Sequence, residues 1–387
     1  MEKFMQQTVA DFSDNTGLPD HLIVNHILPK LPVKPLIRFK CVSKLWLSTI
    51  SSPKFAKSHL NVSSSFPLQL LLLTDNPFKS MLLPYDEFNN LKEPVEMDLN
   101  LDVCVQEHLS DCEFAGSCNG LISFCGINSD DVHFFFICNP SLPQQHREII
   151  FPSSEYSPKG HWFGFIPSIN EYKIVALLLC HGNNNNESSL HFYVFSLSTG
   201  KWKRIYDLDD FFTVYETISC GETAMINDVL YWSLRFPDST DGPKRVIGFD
   251  LVNEKMKQFP WMDWLSDYSC AEFFIMNGCL SLRCNRSSDG VSDVWTLKQY
   301  DDWSSWEKLF SIHVPVMNVL SITPTGKFLI QQYSTHQNMK QIMMIDPSKD
   351  DQEQIQGNTY CPGEVNIWDA VTYVESLISP FETNQVH

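Results

Sequence analysis

The sequence predicts a mainly β chain that opens with a small α-helical module and continues as a propeller-like ring of six four-stranded sheet units. A seventh unit would arise if both chain ends assembled one together. Three observations predict this. Helical spacing of apolar residues is confined to residues 18–60. Beyond residue 66, short strands and turns recur with a long period. Aromatic residues reach 13%, and Pro outnumbers Gly by 22 to 16, as suits many short strands joined by tight turns.

In the N-terminal module, Asn15 or Thr16 can cap a first helix, and Pro19 suits its first turn. Apolar Leu22, Ile23, Ile27 and Leu28 share one helical face, and Pro29 and Pro32 end the helix. A second helix is expected to open near Pro35 and to carry Leu36, Phe39, Cys41 and Val42. A third holds Leu45, Trp46 and Ile50 and stops before Pro53. So few residues cannot hide all of these groups. Either a partner covers the remainder, or the module is a cap packed on the rest of the chain.

In the second region an apolar run, a small or acidic residue, a turn and a new strand recur together. They begin at Tyr85, Ile137, Phe195, Phe249, Tyr300 and Ile345, with spacings from 45 to 58 residues. A second turn precedes five of them, at Asn119-Gly120, Asn170-Glu171, Asn227-Asp228, Asn277-Gly278 and Thr325-Gly326. Such pairs supply the positive φ that hairpin turns require. Two hairpins per unit make four strands, the rhythm of a propeller. A β-sandwich or an irregular stack of sheets is the rival. The segment VNIWDAVTYVESLIS near the C-terminus is placed to close the ring against the first unit.

Residues 18–60 resemble the F-box. The resemblance is carried by Leu18-Pro19, Ile27-Leu28, Leu31-Pro32 and the run Phe39-Lys40-Cys41-Val42-Ser43-Lys44-Leu45-Trp46. Pro29 and Pro35 depart from the usual polar residues. The later segments GSCNGLISF, ICNPS, FYVFSLSTGKWKRI, NDVLYWSL and IGFDLVNEKMKQFP resemble the plant F-box-associated, kelch-like domain. No Gly-Gly pair occurs, so the repeats are not regular kelch repeats.

The resemblance implies a substrate-recognition subunit of an SKP–cullin–F-box ubiquitin ligase. Its helices would bind an SKP-family adaptor, and through it a cullin and a RING-type subunit. Its β domain would recruit a target protein. The implied adaptor-binding residues are Leu18, Pro19, Ile23, Ile27, Leu28, Leu31, Pro32, Leu36, Val42 and Trp46. The implied layout is a terminal segment 1–17, the F-box over 18–60, the F-box-associated domain over 67–380 and a tail over 381–387.

Charge narrows the partners. The formal net charge is −18, yet residues 1–60 hold eight Lys or Arg against four Asp or Glu. The acidic remainder would repel a phosphate backbone, so nucleic acid is not the expected partner. The basic first segment suits an acidic protein. The first 17 residues contain acids and no apolar run, and Leu68–Leu73 is too short to span a bilayer, so no membrane anchoring is expected. The twelve cysteines include no C-x-x-C and read as reduced, mostly buried thiols, which points to the cytoplasm, the nucleus or both.

No catalytic pattern stands out, and neither a cofactor nor a metal site is expected. His161, His181 and His191 have no ligand-like spacing, and nucleotide and hydrolase signatures are missing. A propeller enzyme or small-ligand binder with a helical cap is the alternative reading, although a mere cap has no need for the F-box residues. Aromatic-rich segments between strands offer Trp162, Phe211, Phe212, Tyr215, Trp261 and Trp264 as target-binding candidates. The same residue types also fill propeller cores.

Overall fold

The computed structural model describes residues 18–63, 69–74, 79–84, 95–98, 112–128, 130–142, 145–152, 156–181, 188–205, 213–214, 219–220, 223–235, 245–260, 262–286, 291–313, 318–322, 327–334, 339–347, 349 and 367–381. The chain opens with α1 (Asp20–Leu22), which continues as a π-helical segment over Ile23–Ile27 and a 3₁₀ turn over Leu28–Lys30. Then follow α2 (Val33–Phe39), α3 (Lys44–Ile50) and α4 (Pro53–Ser63).

Two details differ from the sequence reading. The second helix starts at Val33, not near Pro35, because a proline in the first turn gives up an N–H that has no helical partner anyway. Pro53 ends α3 but also begins α4, a fourth helix that was not expected. Ser52 Oγ accepts a hydrogen bond from the Phe55 N–H at 3.2 Å, so Ser52-Pro53 is a cap followed by a favoured first residue. No helix among the described residues is long and apolar enough to cross a membrane.

The described strands form six sheets. Blade one holds β1 (Gln69–Thr74), β2 (Lys79–Pro84) and β3 (Val95–Asp98). Blade two is β4 (Glu113–Cys118), β5 (Leu121–Ile127), β6 (His133–Cys138) and β7 (His146–Ile150). Blade three is β8 (Tyr156–Ile166), β9 (Glu171–His181), β10 (Ser188–Ser196) and β11 (Lys201–Ile205), with β12 (Thr213–Val214) beside β10. Blade four has β13 (Ser219–Cys220), β14 (Ala224–Ile226), β15 (Val229–Arg235), β16 (Arg245–Asp250) and β17 (Lys255–Phe259). Blade five is β18 (Tyr268–Met276), β19 (Cys279–Arg286), β20 (Ser292–Leu297) and β21 (Trp306–Ile312). Blade six shows β22 (Asn318–Ile322), β23 (Phe328–Ser334) and β24 (Met339–Ile345). The last strand, β25 (Ile367–Tyr373), pairs with β1.

The expected turns fall between the first two strands of blades two, three and five, and between β14 and β15 of blade four. Asn119, Gly120, Asn170, Asn227, Asp228, Asn277 and Gly278 all have positive φ. Thr325-Gly326 and Tyr85 lie outside the described residues. Of the remaining recurring starts, Ile137, Phe195 and Ile345 sit in the third strand of their blades, Phe249 sits in β16, and Tyr300 closely follows β20.

Strands inside a blade are covered on both faces, which explains their unbroken apolar runs. Along β9, Ile174, Ala176 and Leu178 face blade two, whereas Val175 and Leu177 face blade four. In β6, Phe135 and Ile137 face blade three, and Phe134, Phe136 and Cys138 face blade one. The two-residue period of a strand therefore divides each run between two interfaces. Outer strands β11 and β17 instead alternate exposed and partly covered positions. Charge also spans blades: the buried Lys173 Nζ donates to Leu251 O at 2.8 Å and to Glu254 Oε1 at 2.9 Å.

Ring closure comes from the two ends of the β region. β25 pairs antiparallel with β1, from Gln69 opposite Tyr373 to Thr74 opposite Ile367. Both ends thus build one of the six sheets, and they do not add a seventh. The chain after β25 is then held by blade two. Buried Asn139 Nδ2 donates to Ser376 O at 3.0 Å and to Ile378 O at 2.7 Å, while its Oδ1 accepts from the Ser141 N–H at 2.9 Å. Gly120, at φ +80°, lies so close to Ser376 that a Cβ there would collide with it.

Asn139→Ala should therefore leave two buried carbonyls without this donor and cost about 2–4 kcal/mol of stability. A urea titration that monitors Trp fluorescence would show a lower midpoint, and an unchanged midpoint would mean that the latch is not needed for closure.

Candidate adaptor-binding surface

The helical module divides into an inner and an outer set of apolar residues. Leu28, Val33, Leu36 and Ile50 are buried and join Phe55 and Ala56 of α4 in one core. Trp46 and Phe39 are half-buried and meet edge to face, with ring centroids 5.6 Å apart. Ser43 is extended, and its Oγ accepts from the Trp46 N–H at 3.1 Å, which fixes where α3 begins.

The expected adaptor-binding residues fall on both sides of this division. Leu18 and Val42 are the most open, at 61% and 59% exposure, and Pro19, Ile27 and Pro32 are exposed with them. Ile23 and Leu31 are half-buried, as is Trp46. Leu28 and Leu36 are fully buried, so both belong to the module's core and are removed from the surface set. The turn that carries Leu28 packs on α4, whose presence was not foreseen, and Leu36 joins the same core.

Leu22, Leu45 and Leu47 extend the exposed apolar surface beyond the residues singled out from the sequence. The signal for Leu47 was available. Successive helical residues are 100° apart, so Leu45, Trp46 and Leu47 cannot all face one core. Exposed Lys30, Lys34, Arg38, Lys44 and Lys54 lie on the same elements and give the module its positive charge.

The far side of the module rests on the propeller. Its core continues into blades two and three and into Leu377 and Ile378 of the latched segment. Lys34 of α2 lies close enough to Glu375 to counter, in part, the upward push that burial exerts on that carboxyl. Helix α4 lies over the rim turns, with Lys57 Nζ 3.5 Å from Asn170 Oδ1. A cavity of about 250 Å³ remains there, lined by Lys57, Leu60, Asn119, Asn170, Tyr172 and Ile378. Asn119 Nδ2 donates to Tyr172 Oη at 2.9 Å across its wall.

Of the target-binding candidates, Trp162 is half-buried on β8 against the core between blades three and four. Trp264 lies in a 3₁₀ turn over Asp263–Asp267 and stacks on Trp295, with centroids 3.9 Å apart. Both residues contribute to packing. Phe211, Phe212, Tyr215 and Trp261 lie outside the described residues. The cysteines Cys41, Cys112, Cys118, Cys125, Cys138, Cys279 and Cys284 are free, and Cys41 alone among these is exposed.

Among the described residues, a helical module with an exposed apolar face packs on a ring of six sheets. Residues 16–58 match the F-box domain, and residues 69–381 match the F-box associated beta propeller domain. The chain belongs to the family of F-box proteins with an F-box-associated propeller, and substrate recognition within SKP–cullin–F-box ligases is the role that this architecture supports. The F-box protein CPR1 of Arabidopsis thaliana is 26% identical over 314 residues, spanning 76% of this chain and 72% of the relative. The F-box/kelch-repeat protein At3g23880 of the same plant is 26% identical over 325 residues, spanning 80% and 83%. Among solved structures, the Aleuria aurantia lectin in complex with alpha-methyl-L-fucoside overlays with a TM-score of 0.40 and 10% identity, covering 79% of this chain and 96% of the lectin. An overlay that loose carries no argument about ligands.

One residue makes the module sensitive to acid. His59 on α4 is fully buried and stacks on Phe55. Its Nε2 lies 2.7 Å from the Leu31 carbonyl oxygen, so Nε2 carries the proton and donates it, and the buried Nδ1 has no hydrogen-bond partner among the described residues. Burial pushes the imidazole below its ordinary value, and the bond to Leu31 offsets part of that. The folded module thus binds a proton more weakly than the unfolded chain does. Stability should be greatest above about pH 6.5, fall as pH drops from there, and level off below the folded value. Thermal unfolding from pH 7.5 to about 5 should show a steeper loss for the native chain than for His59→Gln, and parallel curves would contradict this.

Proposed function

We propose that the chain is the target-recruiting subunit of an SKP–cullin–F-box ubiquitin ligase and has no active site of its own. The observation that carries this reading is the exposure of Leu18, Leu22, Ile27, Val42, Leu45 and Leu47 on a module whose core is already filled by other residues. Apolar groups left outside a complete core gain free energy only when a partner covers them. An SKP-family adaptor is that partner in our reading, and the exposed Lys and Arg side chains suit an acidic surface on it. The adaptor would join the chain to a cullin and a RING-type subunit. We assign ubiquitination of the captured protein to that assembly, acting in the cytoplasm, the nucleus or both.

The propeller would present the target protein. We assign capture to the segments that contain Phe211, Phe212, Tyr215 and Trp261, since Trp162 and Trp264 are engaged in packing. The reading as a small-ligand binder with a helical cap has one observation in its favour, the cavity beneath α4. It leaves the outer face of the module without a purpose.

The deciding experiment measures adaptor binding by the full chain and by the double variant Leu18→Ala/Pro19→Ala. Both side chains are exposed, so the fold should keep its unfolding midpoint. Loss of about 1.4–2.8 kcal/mol should weaken adaptor affinity about ten- to a hundredfold. Unchanged affinity would contradict the assignment of this surface. A lowered unfolding midpoint would mean that the two residues support the fold.

A further inference from the structure

Three unlike donor groups meet between blades two and three, two of them opposite each other on the β4–β5 hairpin and the third on β8 of the next blade. Glu113 begins β4, Cys125 lies in β5, and His161 lies in β8. A carboxylate oxygen, the thiol sulfur and an imidazole nitrogen from these residues all lie within 4.8 Å of one another. Cys125 Sγ is 3.3 Å from His161 Nδ1, and His161 Nε2 is 2.9 Å from the Phe114 carbonyl oxygen. A carbonyl only accepts, so Nε2 carries the ring proton. Nδ1 therefore keeps its lone pair, and the sulfur, which is also 3.6 Å from Nε2, lies off that axis, so metal binding includes a turn of the Cys125 side chain. A ring fixed through one nitrogen by a backbone carbonyl is the usual support of a metal-bound histidine.

The donor set selects the metal. Thiolate and imidazole favour zinc over calcium or magnesium, which prefer sites built from oxygen. Charge also fits, because one thiolate and one carboxylate cancel a divalent ion. Cys125 is buried and His161 half-buried, while Glu113 is exposed and leaves the site open to water on one side.

We propose that Glu113, Cys125 and His161 form a zinc-binding site that staples blade two to blade three, with water as the fourth ligand. Binding replaces the S–H bond of Cys125 by a sulfur–zinc bond and releases that proton to solvent. The imidazole enters neutral and the carboxylate as an anion, with no change of oxidation state. Without metal, burial and the neighbouring Glu113 and Cys112 hold the Cys125 thiol protonated, which argues against a thiolate nucleophile paired with His161. Blades two and three carry the rim turns beneath α4, so the ion would stiffen the platform on which the F-box sits.

The test uses the full chain, reduced and stripped with a chelator, then titrated with Co²⁺ and back-titrated with Zn²⁺. The native chain should bind one Co²⁺ with a thiolate-to-cobalt charge-transfer band, and Zn²⁺ should displace it. Cys125→Ser should lose the band. Glu113→Gln changes an exposed side chain, so it should keep the native fold and the band while its affinity falls about tenfold or more. A native chain without the band would overturn the proposal. So would a band that survives in Cys125→Ser, which would place the metal on another cysteine. If Cys125→Ser does not fold, Glu113→Gln decides, and unchanged affinity in that variant refutes the site.

Discussion

The pairing of β25 with β1 is the condition on which the rest of the molecule depends. Each inner strand divides its apolar side chains between two neighbouring blades, so every blade needs a neighbour on both sides. An open row of six sheets would leave one apolar face bare on blade one and another on blade six. Closure removes both faces at once. It also carries Ser376, Leu377 and Ile378 to blade two, where Asn139 holds the backbone and the two apolar side chains complete the core beneath the helices. The helical module thus rests on a surface that exists only once the ring has closed.

The parts of this design that were legible in the sequence are those set by local backbone chemistry. Asn119-Gly120, Asn227-Asp228 and Asn277-Gly278 could be read as turns because few residue types accept a positive φ. The long period was legible because it repeats. Features made by distant pairs were not legible. Asn139 and Ser376 stand 237 residues apart, and neither has a local pattern that names the other. His161 likewise reaches Glu113 and Cys125, which pair across the β4–β5 hairpin, only through the packing of blade three on blade two. Pro53 was misread for a different reason: a proline that ends one helix can also begin the next, and only Ser52 before it distinguishes the two cases.

The F-box residues show how one motif can serve two demands. Leu18 and Leu36 belong to the same sequence pattern, yet one is open to water and the other has no exposure. A pattern of apolar positions records that each residue avoids water in the working state. It does not record whether the cover is the chain's own core or another protein. The chain's own core settles the matter for Leu28 and Leu36 by covering them from within. The outer residues have no such cover in this chain, which is why they carry the functional argument.

Closure also imposes an order on synthesis. Gln69 leaves the ribosome long before Tyr373, its partner in the first sheet. Until that partner arrives, blade one lacks its innermost strand and the latched segment cannot fill the space under the helices. The F-box, by contrast, is made before the propeller, although its buried residues share one core with blades two and three. A nascent or prematurely terminated chain would then present its adaptor surface while having no finished propeller to hold a target. Such a fragment would occupy adaptors without delivering anything to them, so the cell gains from removing incomplete chains quickly.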